Sequence, residues 1–374
     1  MVRRVPSGGM STTWKRWAPA AAVPLVVVAA AVALPLSASA AGDLPEKTAS
    51  ELLTFAAEND VTAFSGEIEQ TSDLGLPDLS ALGGSSPSAS GAADAAPADA
   101  LMELATGSHE ARVFVDAEQG ARLQVLDRLA ERDVVATKGE GVWVYDSAEN
   151  TATHFLPPES GAASPATVPS GEVPTPSSIA EDLLASIDPT TAVAVGSDVE
   201  VAGRDAYELV LTPREGTTLI GSVTVSIDGE TGLPLGVAAT ARGGTAPAFS
   251  VAYSSIDFDA PDAAMFAFTA PEGAEVVEKA APEHDDPAVE PGADASLEPG
   301  TEPSDAVTTG TGWATVVELP AGDSEALAPL DAITTRVDGG RALESALVSV
   351  LLTDDGRVLA GSVPVDVLVD AAGR

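Results

Sequence analysis

The central part of the chain alternates apolar and polar residues in short runs separated by turn residues, and this pattern restricts the fold more than any other feature. Residues 199–212 form two such runs around Gly203, and residues 223–237 form two more around a turn at 228–232. Successive side chains of a strand point to opposite faces, so these runs are typical of half-buried strands. Turns this short join antiparallel neighbours, and the segment therefore predicts consecutive hairpins.

Runs of the same kind predict further strands on both sides of these hairpins. They cover residues 64–69, 111–115, 123–126, 142–145, 249–258 and 266–271. Because a sheet built from these strands has one apolar face, that face has to pack against another layer of the structure.

Two segments repeat apolar residues at helical spacing and predict helices over 45–58 and 176–187. Asp43 and Glu46 provide a capping box for the first helix, and Thr175 before a proline marks the start of the second. The predicted fold class is α+β, with one curved antiparallel sheet whose concave face is covered by the two helices.

An acidic, proline-rich stretch divides the chain. Residues 282–311 contain eight acidic residues and five prolines but no Lys, Arg or aromatic residue. Such a composition cannot bury enough apolar surface to offset the entropy lost on ordering. We therefore predict a linker at 282–311 between a domain at 42–281 and a small C-terminal α/β module at 312–374. Within that module we expect a strand at 313–319, a hairpin across 354–356 and a final helix at 364–372.

The first 41 residues have the features of a signal peptide. Their four charges are all positive, residues 20–36 are uncharged and apolar, and Ala38-Ser39-Ala40 fits the small-x-small pattern of a cleavage site. The alternative is an uncleaved N-terminal anchor, because the apolar stretch approaches the roughly 20 residues that a spanning helix needs. Either case predicts an exported, extracytoplasmic protein.

The charge of the chain argues against several kinds of partner. It has 18 Lys and Arg against 57 Asp and Glu, a formal net charge of −39, and cleavage of the signal peptide would bring it near −43. This charge repels phosphate backbones and anionic headgroups, so binding to nucleic acid is not expected. The chain has no cysteine, which excludes disulfides, a lipobox and thiol chemistry.

No combination of residues points to catalysis. The three histidines, His109, His154 and His284, do not have the spacing of metal ligands, and no Gly-x-Ser-x-Gly motif is present. Asp354-Asp355-Gly356 fits a hairpin turn better than a calcium loop. We therefore expect neither an enzyme nor a cofactor or metal site.

Three motifs resemble the superfamily of the lipoprotein carrier LolA and the periplasmic sensor RseB, especially its actinobacterial members. They are the hairpin at 201–209, the turn Ile227-Asp228-Gly229-Glu230-Thr231-Gly232-Leu233-Pro234, and the closing segment at 266–276. The resemblance covers about residues 43–281. It implies a half-barrel sheet closed by helices around an apolar cavity that holds acyl chains.

The candidate ligand-cavity residues are apolar or aromatic positions on predicted strands. They are Phe64, Ile68, Trp143, Tyr145, Leu209 and Leu211. For each of them, a place in an ordinary hydrophobic core is the alternative. The main functional hypothesis is a non-catalytic carrier that binds a lipid or an acylated lipoprotein. One alternative is an RseB-like sensor that binds a membrane-anchored anti-sigma factor, and another is a structural interaction domain of the cell envelope.

Overall fold

The computed structural model describes residues 44–76, 108–126, 131–157, 175–280, 307–319 and 333–373. Residues 1–43, which contain the predicted signal peptide and Asp43, lie outside the described residues, as do residue 281 and residues 282–306 of the predicted linker. None of the helices within the described ranges is long and apolar enough to span a membrane.

Thirteen strands form one large open sheet. They are β1 (Ala63–Ser72), β2 (His109–Asp116), β3 (Gly120–Leu126), β4 (Glu131–Thr137), β5 (Gly141–Asp146), β6 (Thr151–Leu156), β7 (Thr191–Val195), β8 (Val199–Val201), β9 (Arg204–Pro213), β10 (Ile220–Asp228), β11 (Pro234–Ala241), β12 (Pro247–Asp257) and β13 (Glu275–Ala280). Their order is β13-β6-β5-β4-β3-β2-β1-β12-β11-β10-β9-β7, and β8 pairs with β9 beside β7. The sheet is not closed, because β13 and β7 lie at opposite ends.

The strand pairs are antiparallel except at one end of the sheet. The hairpins predicted around Gly203 and around 228–232 are both present, as β8–β9 and β10–β11. β13 instead runs parallel to β6 and pairs Glu275 with Thr151. The prediction of a strand at 266–271 is wrong. That segment follows a short 3-10 helix at Ala263–Phe266 and lies across the sheet rather than in it.

Two helices cover one face of the large sheet. Helix α1 (Ala49–Ala57) begins later than predicted, because Thr48 and Glu51 form its capping box in place of Asp43 and Glu46. Helix α2 (Pro176–Ala185) has Thr175 as its N-cap, as predicted. α1 contacts β7 and β9, and α2 contacts β11 and β12. We call this side the helix-covered face and the other side the opposite face.

The core of the molecule lies between these helices and the sheet. Leu52 of α1 and Ala180 of α2 are fully buried against strand residues that include Leu209 and Val225. Burying apolar surface contributes about 25 cal/mol per Å², so this layer is the main source of stability for the large sheet.

A second, six-stranded antiparallel sheet carries the third helix. Its strands are β14 (Val307–Thr309), β15 (Val316–Leu319), β16 (Thr335–Val337), β17 (Gly340–Glu344), β18 (Ser349–Thr353) and β19 (Val358–Gly361), in the order β14-β15-β19-β18-β17-β16. The predicted hairpin across 354–356 joins β18 to β19, and α3 (Val365–Ala372) matches the predicted final helix. The predicted strand at 313–319 begins only at Val316, and β14 lies inside the range predicted as linker.

The two sheets touch at several points. The Trp313 indole N–H donates to Thr191 Oγ1 at 2.8 Å, and its ring packs against the large core. The Ser362 carbonyl accepts from Leu219 N at 2.8 Å and from Thr218 Oγ1 at 2.7 Å. The small sheet therefore packs against the edge of the large one.

Candidate functional site

Four of the six candidate residues lie together on the helix-covered face. Phe64 and Ile68 are 7% and 2% exposed, and Leu209 and Leu211 are completely buried in the same cluster. Residues that are this buried fill space rather than line an open one. In the described part of the chain they form a packed core.

Trp143 and Tyr145 lie on the opposite face, so the structure does not bring the six candidates together. Val142 and Val144 alternate with them in β5 and are buried with Val134. Val134 pairs with Leu123, so their side chains lie on the same face of the sheet, and Leu123 belongs to the core beneath the helices. The valines of β5 therefore point to the helix-covered face, and Trp143 and Tyr145 point away from it. The expectation that Trp143 points into the helix-covered space is therefore corrected.

Trp143 and Tyr145 belong to a group of rings that we call the aromatic patch, formed by Trp143, Tyr145, His154 and Phe268. The Trp143 and His154 rings stack at 4.2 Å with an interplanar angle of 2°. Phe268 lies 5.1 Å from the Trp143 ring and 6.2 Å from the Tyr145 ring. His154 Nε2 lies 2.9 Å from the Glu140 carbonyl oxygen, which fixes the orientation of its ring.

Polar contacts hold the segment that brings Phe268 to the sheet. Arg122 forms an ion pair with the nearly buried Asp133, with an Nη2–Oδ2 distance of 2.6 Å, and also donates to the Met265 carbonyl at 3.2 Å. Thr137 Oγ1 donates to the Phe266 carbonyl at 2.6 Å. These contacts fix the 3-10 helix over β3 and β4, so Phe268 reaches the patch from a rigid support.

Asn150 links the other end of the same segment to the sheet. The Tyr145 hydroxyl donates to Asn150 Oδ1 at 3.2 Å, and Asn150 Nδ2 donates to the Gly273 carbonyl at 2.9 Å. Asn150 has a φ of 51°, a left-handed conformation that Asn adopts more readily than most residues. The segment just before β13 is therefore linked to Tyr145 through Asn150.

Apolar and acidic side chains surround the aromatic patch. Leu156 is 41% exposed and Val276 is 52% exposed. The strand registers place both on the same face as His154. Glu140, Glu272, Glu275 and Glu278 are exposed nearby. β13 is the end strand of the sheet, and no described strand pairs with its outer edge.

Tyr253 places a polar group inside the helix-covered layer. It is 2% exposed, its ring meets Phe64 edge-on at 6.0 Å, and a Cβ at Gly66 would lie 2.9 Å from its Cδ1 atom. Its hydroxyl makes no hydrogen bond of standard geometry among the described residues, although the Ser177 side chain lies near it. Burial raises the pKa of Tyr253 to about 12, so the hydroxyl remains protonated at neutral pH.

Arg204 and Asp228 stabilise the hairpin that carries the family-like turn. The Arg204 guanidinium donates to both Asp228 oxygens and to Glu230 Oε2, and it lies 4.7 Å from the Phe258 ring centre. Burial opposes the charge of Asp228. The hydrogen bonds from Arg204 and Thr231 outweigh that effect and hold the pKa of Asp228 below its usual value. This fully satisfied group has a structural role.

A shallow pocket of about 390 Å³ lies at the start of α1 and is partly open to solvent. Glu46, Asp198 and Tyr207 contribute to its lining. The Tyr207 hydroxyl donates to the Pro45 carbonyl at 2.8 Å, and the Lys47 ammonium lies 4.7 Å from the Phe55 ring centre. The polar groups of this pocket contact one another, so it gives no evidence of a ligand.

The described residues contain no group of three or more His, Asp or Glu side chains that could hold a metal ion. His109 and His154 lie on different strands, β2 and β6, and His154 is stacked on an indole rather than placed beside a nucleophile.

The sequence interpretation did not identify Phe268 and His154 as members of the aromatic patch, or Tyr253 as a residue of the helix-covered face. Phe268 was assigned to a strand, although the phenylalanine-rich segment at 266–268 contacts the sheet from above. A strand of alternating residues has two faces, so the pattern around Trp143 could have indicated a face separate from the valines. It could not show which face the helices cover.

No protein-family model matches this chain, and no curated protein matches it. Among solved structures, the chain is similar to Pseudomonas aeruginosa MucB in its complex with MucA. The identity is 18% and the TM-score 0.42, over 87% of this chain and 96% of that one. A structure of MucB alone gives 18% identity and a TM-score of 0.39, over 86% of this chain and 94% of that one.

A LolA superfamily protein from Nitrosomonas europaea is also similar. It has 12% identity and a TM-score of 0.22, over 60% of this chain and 99% of that one. The sequence motifs resemble the LolA/RseB superfamily, and the solved structures of MucB and of a LolA superfamily protein are similar to this chain in fold at low sequence identity.

Proposed function

We propose that this chain is a non-catalytic, extracytoplasmic binding protein that recognises a segment of another envelope protein through the aromatic patch. The observation that carries the proposal is the patch itself, in which Trp143 contacts both His154 and Phe268 at one end of the sheet. Tyr and Trp are enriched at protein interfaces because they offer a large, rigid, partly polar contact surface.

The patch is available to a partner without rearrangement of the core. Leu209 and Leu211 of the helix-covered face are completely buried, whereas Leu156 and Val276 beside the patch are 41% and 52% exposed. A ligand of the helix-covered face would have to separate α1 or α2 from the sheet, which exposes apolar surface to water. A ligand of the patch would instead cover surface that is already exposed.

The charge of the chain favours a basic partner. The net charge of −39 attracts cationic segments over long range, and exposed glutamates surround the patch. MucB has been solved with a segment called MucA(peri). A regulator that binds the exported part of an anti-sigma factor is the corresponding hypothesis for this chain.

Carriage of acyl chains is the second candidate. Tyr253 favours it, because its hydroxyl makes no hydrogen bond of standard geometry among the described residues and could donate to a polar group of a bound lipid. A carrier also requires the sheet to curve into a half-barrel around a cavity. This candidate therefore depends on opening of the layer beneath α1 and α2.

Site-specific photo-crosslinking in the native host tests the proposal. A benzoylphenylalanine residue at position 156, beside the patch, should form a discrete protein adduct. The same residue at position 317 is the matched control, because Val317 is 37% exposed on the small sheet, and it should give no such adduct. Trp143→Ala in the position-156 background should reduce the adduct about tenfold, as expected when an interface loses an aromatic anchor.

Three outcomes would overturn the proposal. They are an adduct that Trp143→Ala leaves unchanged, equal adducts from positions 156 and 317, and no protein adduct at all. If mass spectrometry of the protein from its own host also finds a bound lipid, the carrier candidate replaces it.

A further inference from the structure

We propose that β13 is a docking edge to which an extended partner segment of alternating basic and apolar residues adds as a further strand. This inference rests on the partner binding proposed above and names the chemistry and geometry of that partner. It is carried by the outer edge of β13, with which no described strand pairs, the exposure of Val276 and the charge of the strand.

The backbone of β13 offers hydrogen-bonding groups on its outer side. β13 pairs with β6 on one side through the register from Glu275–Thr151 to Ala280–Leu156, and it is the end strand of the sheet. Alternate residues of a strand direct their N–H and C=O groups to opposite neighbours, so every second residue of β13 points these groups away from β6. Such a row is a template for another strand.

The side chains beside this edge favour a partner strand that carries apolar residues on the face of the aromatic patch. Val276 is 52% exposed and lies in register with Ala152, and Leu156 at the end of β6 is 41% exposed. An added strand would cover Val276, and on the same face its apolar residues would continue the aromatic patch outward. The docking edge and the patch therefore form one continuous surface.

The charge of the strand selects the occupant. Residues 272–280 contain three glutamates, Glu272, Glu275 and Glu278, and one lysine, Lys279. A second copy of β13 carries the same excess of negative charge, so pairing between two copies is repelled. A segment whose apolar residues lie on the face of Val276 places lysine or arginine on the other face, which is the face of Glu275. Opposite charges on adjacent strands stabilise such a pair, and the excess of acidic residues over 272–280 attracts the basic segment as a whole.

The test uses full-length mature protein and two fluorescein-labelled peptides of 11 residues, one alternating Lys with Val and the other alternating Glu with Val. We expect the Lys–Val peptide to bind and the Glu–Val peptide to bind at least tenfold more weakly. A Lys–Val peptide with an N-methyl group on every backbone nitrogen cannot donate a backbone hydrogen bond along either edge, and it should also bind about tenfold more weakly.

Two valines provide a matched pair of variants. Val276 is 52% exposed on the edge strand β13, and Val307 is 55% exposed on the edge strand β14 of the other sheet. Val276→Lys should weaken binding of the Lys–Val peptide about tenfold, whereas Val307→Lys should leave it unchanged. Both substitutions are at exposed positions, and equal unfolding midpoints would show that both variants are folded.

The results separate this inference from the proposed function. If the peptide binds but neither Val276→Lys nor N-methylation weakens it, strand addition at β13 is wrong, and loss of crosslinking in Trp143→Ala would still support partner binding at the patch. Failure of the Lys–Val peptide to bind also overturns the inference. If two labelled copies of the protein associate and Val276→Lys abolishes that association, the occupant is a second copy and the proposed partner chemistry is wrong.

Discussion

The two faces of the large sheet are stabilised by different forces. The helix-covered face consists of apolar side chains such as Leu52, Leu209 and Val225, all completely buried. The opposite face relies on ion pairs and hydrogen bonds, such as Arg122 with Asp133 and Thr137 with the Phe266 carbonyl. Apolar packing makes the first face stable and closed, whereas directional polar contacts on the second hold rings in place while leaving them accessible.

The largest difference should appear when one large side chain is truncated on each face. Leu209→Ala should lower the free energy of unfolding by about 3 kcal/mol, because it leaves a cavity in a packed layer. Trp143→Ala should cost clearly less, since Trp143 is only partly buried. Urea unfolding of both variants measures the difference. Equal losses would mean that the patch belongs to the core.

Removal of the ion pair beneath the patch should have the next largest effect. Asp133→Ala leaves Arg122 without its carboxylate and should lower the free energy of unfolding by about 2 kcal/mol, because the pair is mostly shielded from water. The exposed pair Arg112–Glu67 is the control, and Glu67→Ala should cost less than about 1 kcal/mol. A negligible loss in Asp133→Ala would show that polar contacts do not hold the opposite face.

Acid should weaken the turn at 228–232, which the ion pair between Arg204 and Asp228 stabilises. The pKa of Asp228 is lowered in the folded protein, so its contribution to stability is present above the unfolded value of about 3.9 and is lost as the pH falls through the folded value. Urea unfolding between pH 7 and pH 3 should show this loss. Asp228→Asn should reduce the dependence on pH, and an unchanged dependence would assign it to other carboxylates.

The smallest expected effect distinguishes two tyrosines within the helix-covered layer. Tyr207→Phe removes a hydrogen bond to the Pro45 carbonyl and should cost about 1 kcal/mol. Tyr253→Phe removes a hydroxyl that makes no hydrogen bond of standard geometry in the described part of the chain, so it should be neutral or slightly stabilising. Thermal unfolding of the two variants tests this. A loss in Tyr253→Phe as large as that in Tyr207→Phe would show that its hydroxyl is bonded.

Local sequence signals predicted the parts of the fold that depend on neighbouring residues. The turns at Gly203 and at 228–232 lie between strands that pair with each other, so alternation and turn chemistry were sufficient. The start of α1 was misplaced because two capping boxes lie close together, and the structure uses the one formed by Thr48 and Glu51. Both pairs have suitable residue types for a capping box, so the hydrogen-bonding geometry decides which pair caps α1.

The candidate site was only partly predictable, because contacts between residues far apart in sequence determine which face of the large sheet the helices cover. Alternation places Trp143 and Tyr145 on one side of β5, but only pairing across several strands shows that α1 and α2 lie on the other side. The parallel pairing of β13 with β6 leaves no local sequence pattern at all. The contact of Phe268 with Trp143 likewise depends on residues far apart in sequence, and Phe268 was assigned to a strand.

The parallel pairing of β13 also affects when the aromatic patch can form during folding. Glu275 pairs with Thr151, which lies 124 residues earlier in the chain, whereas the β10–β11 hairpin joins residues that are close in sequence. Contacts between distant residues close large loops and form slowly. A chain that is synthesised from its N-terminus cannot add β13 until residue 280 has followed. The hairpins can therefore form early, whereas the aromatic patch and its docking edge form later, as does the long-range pairing of β1 with β12.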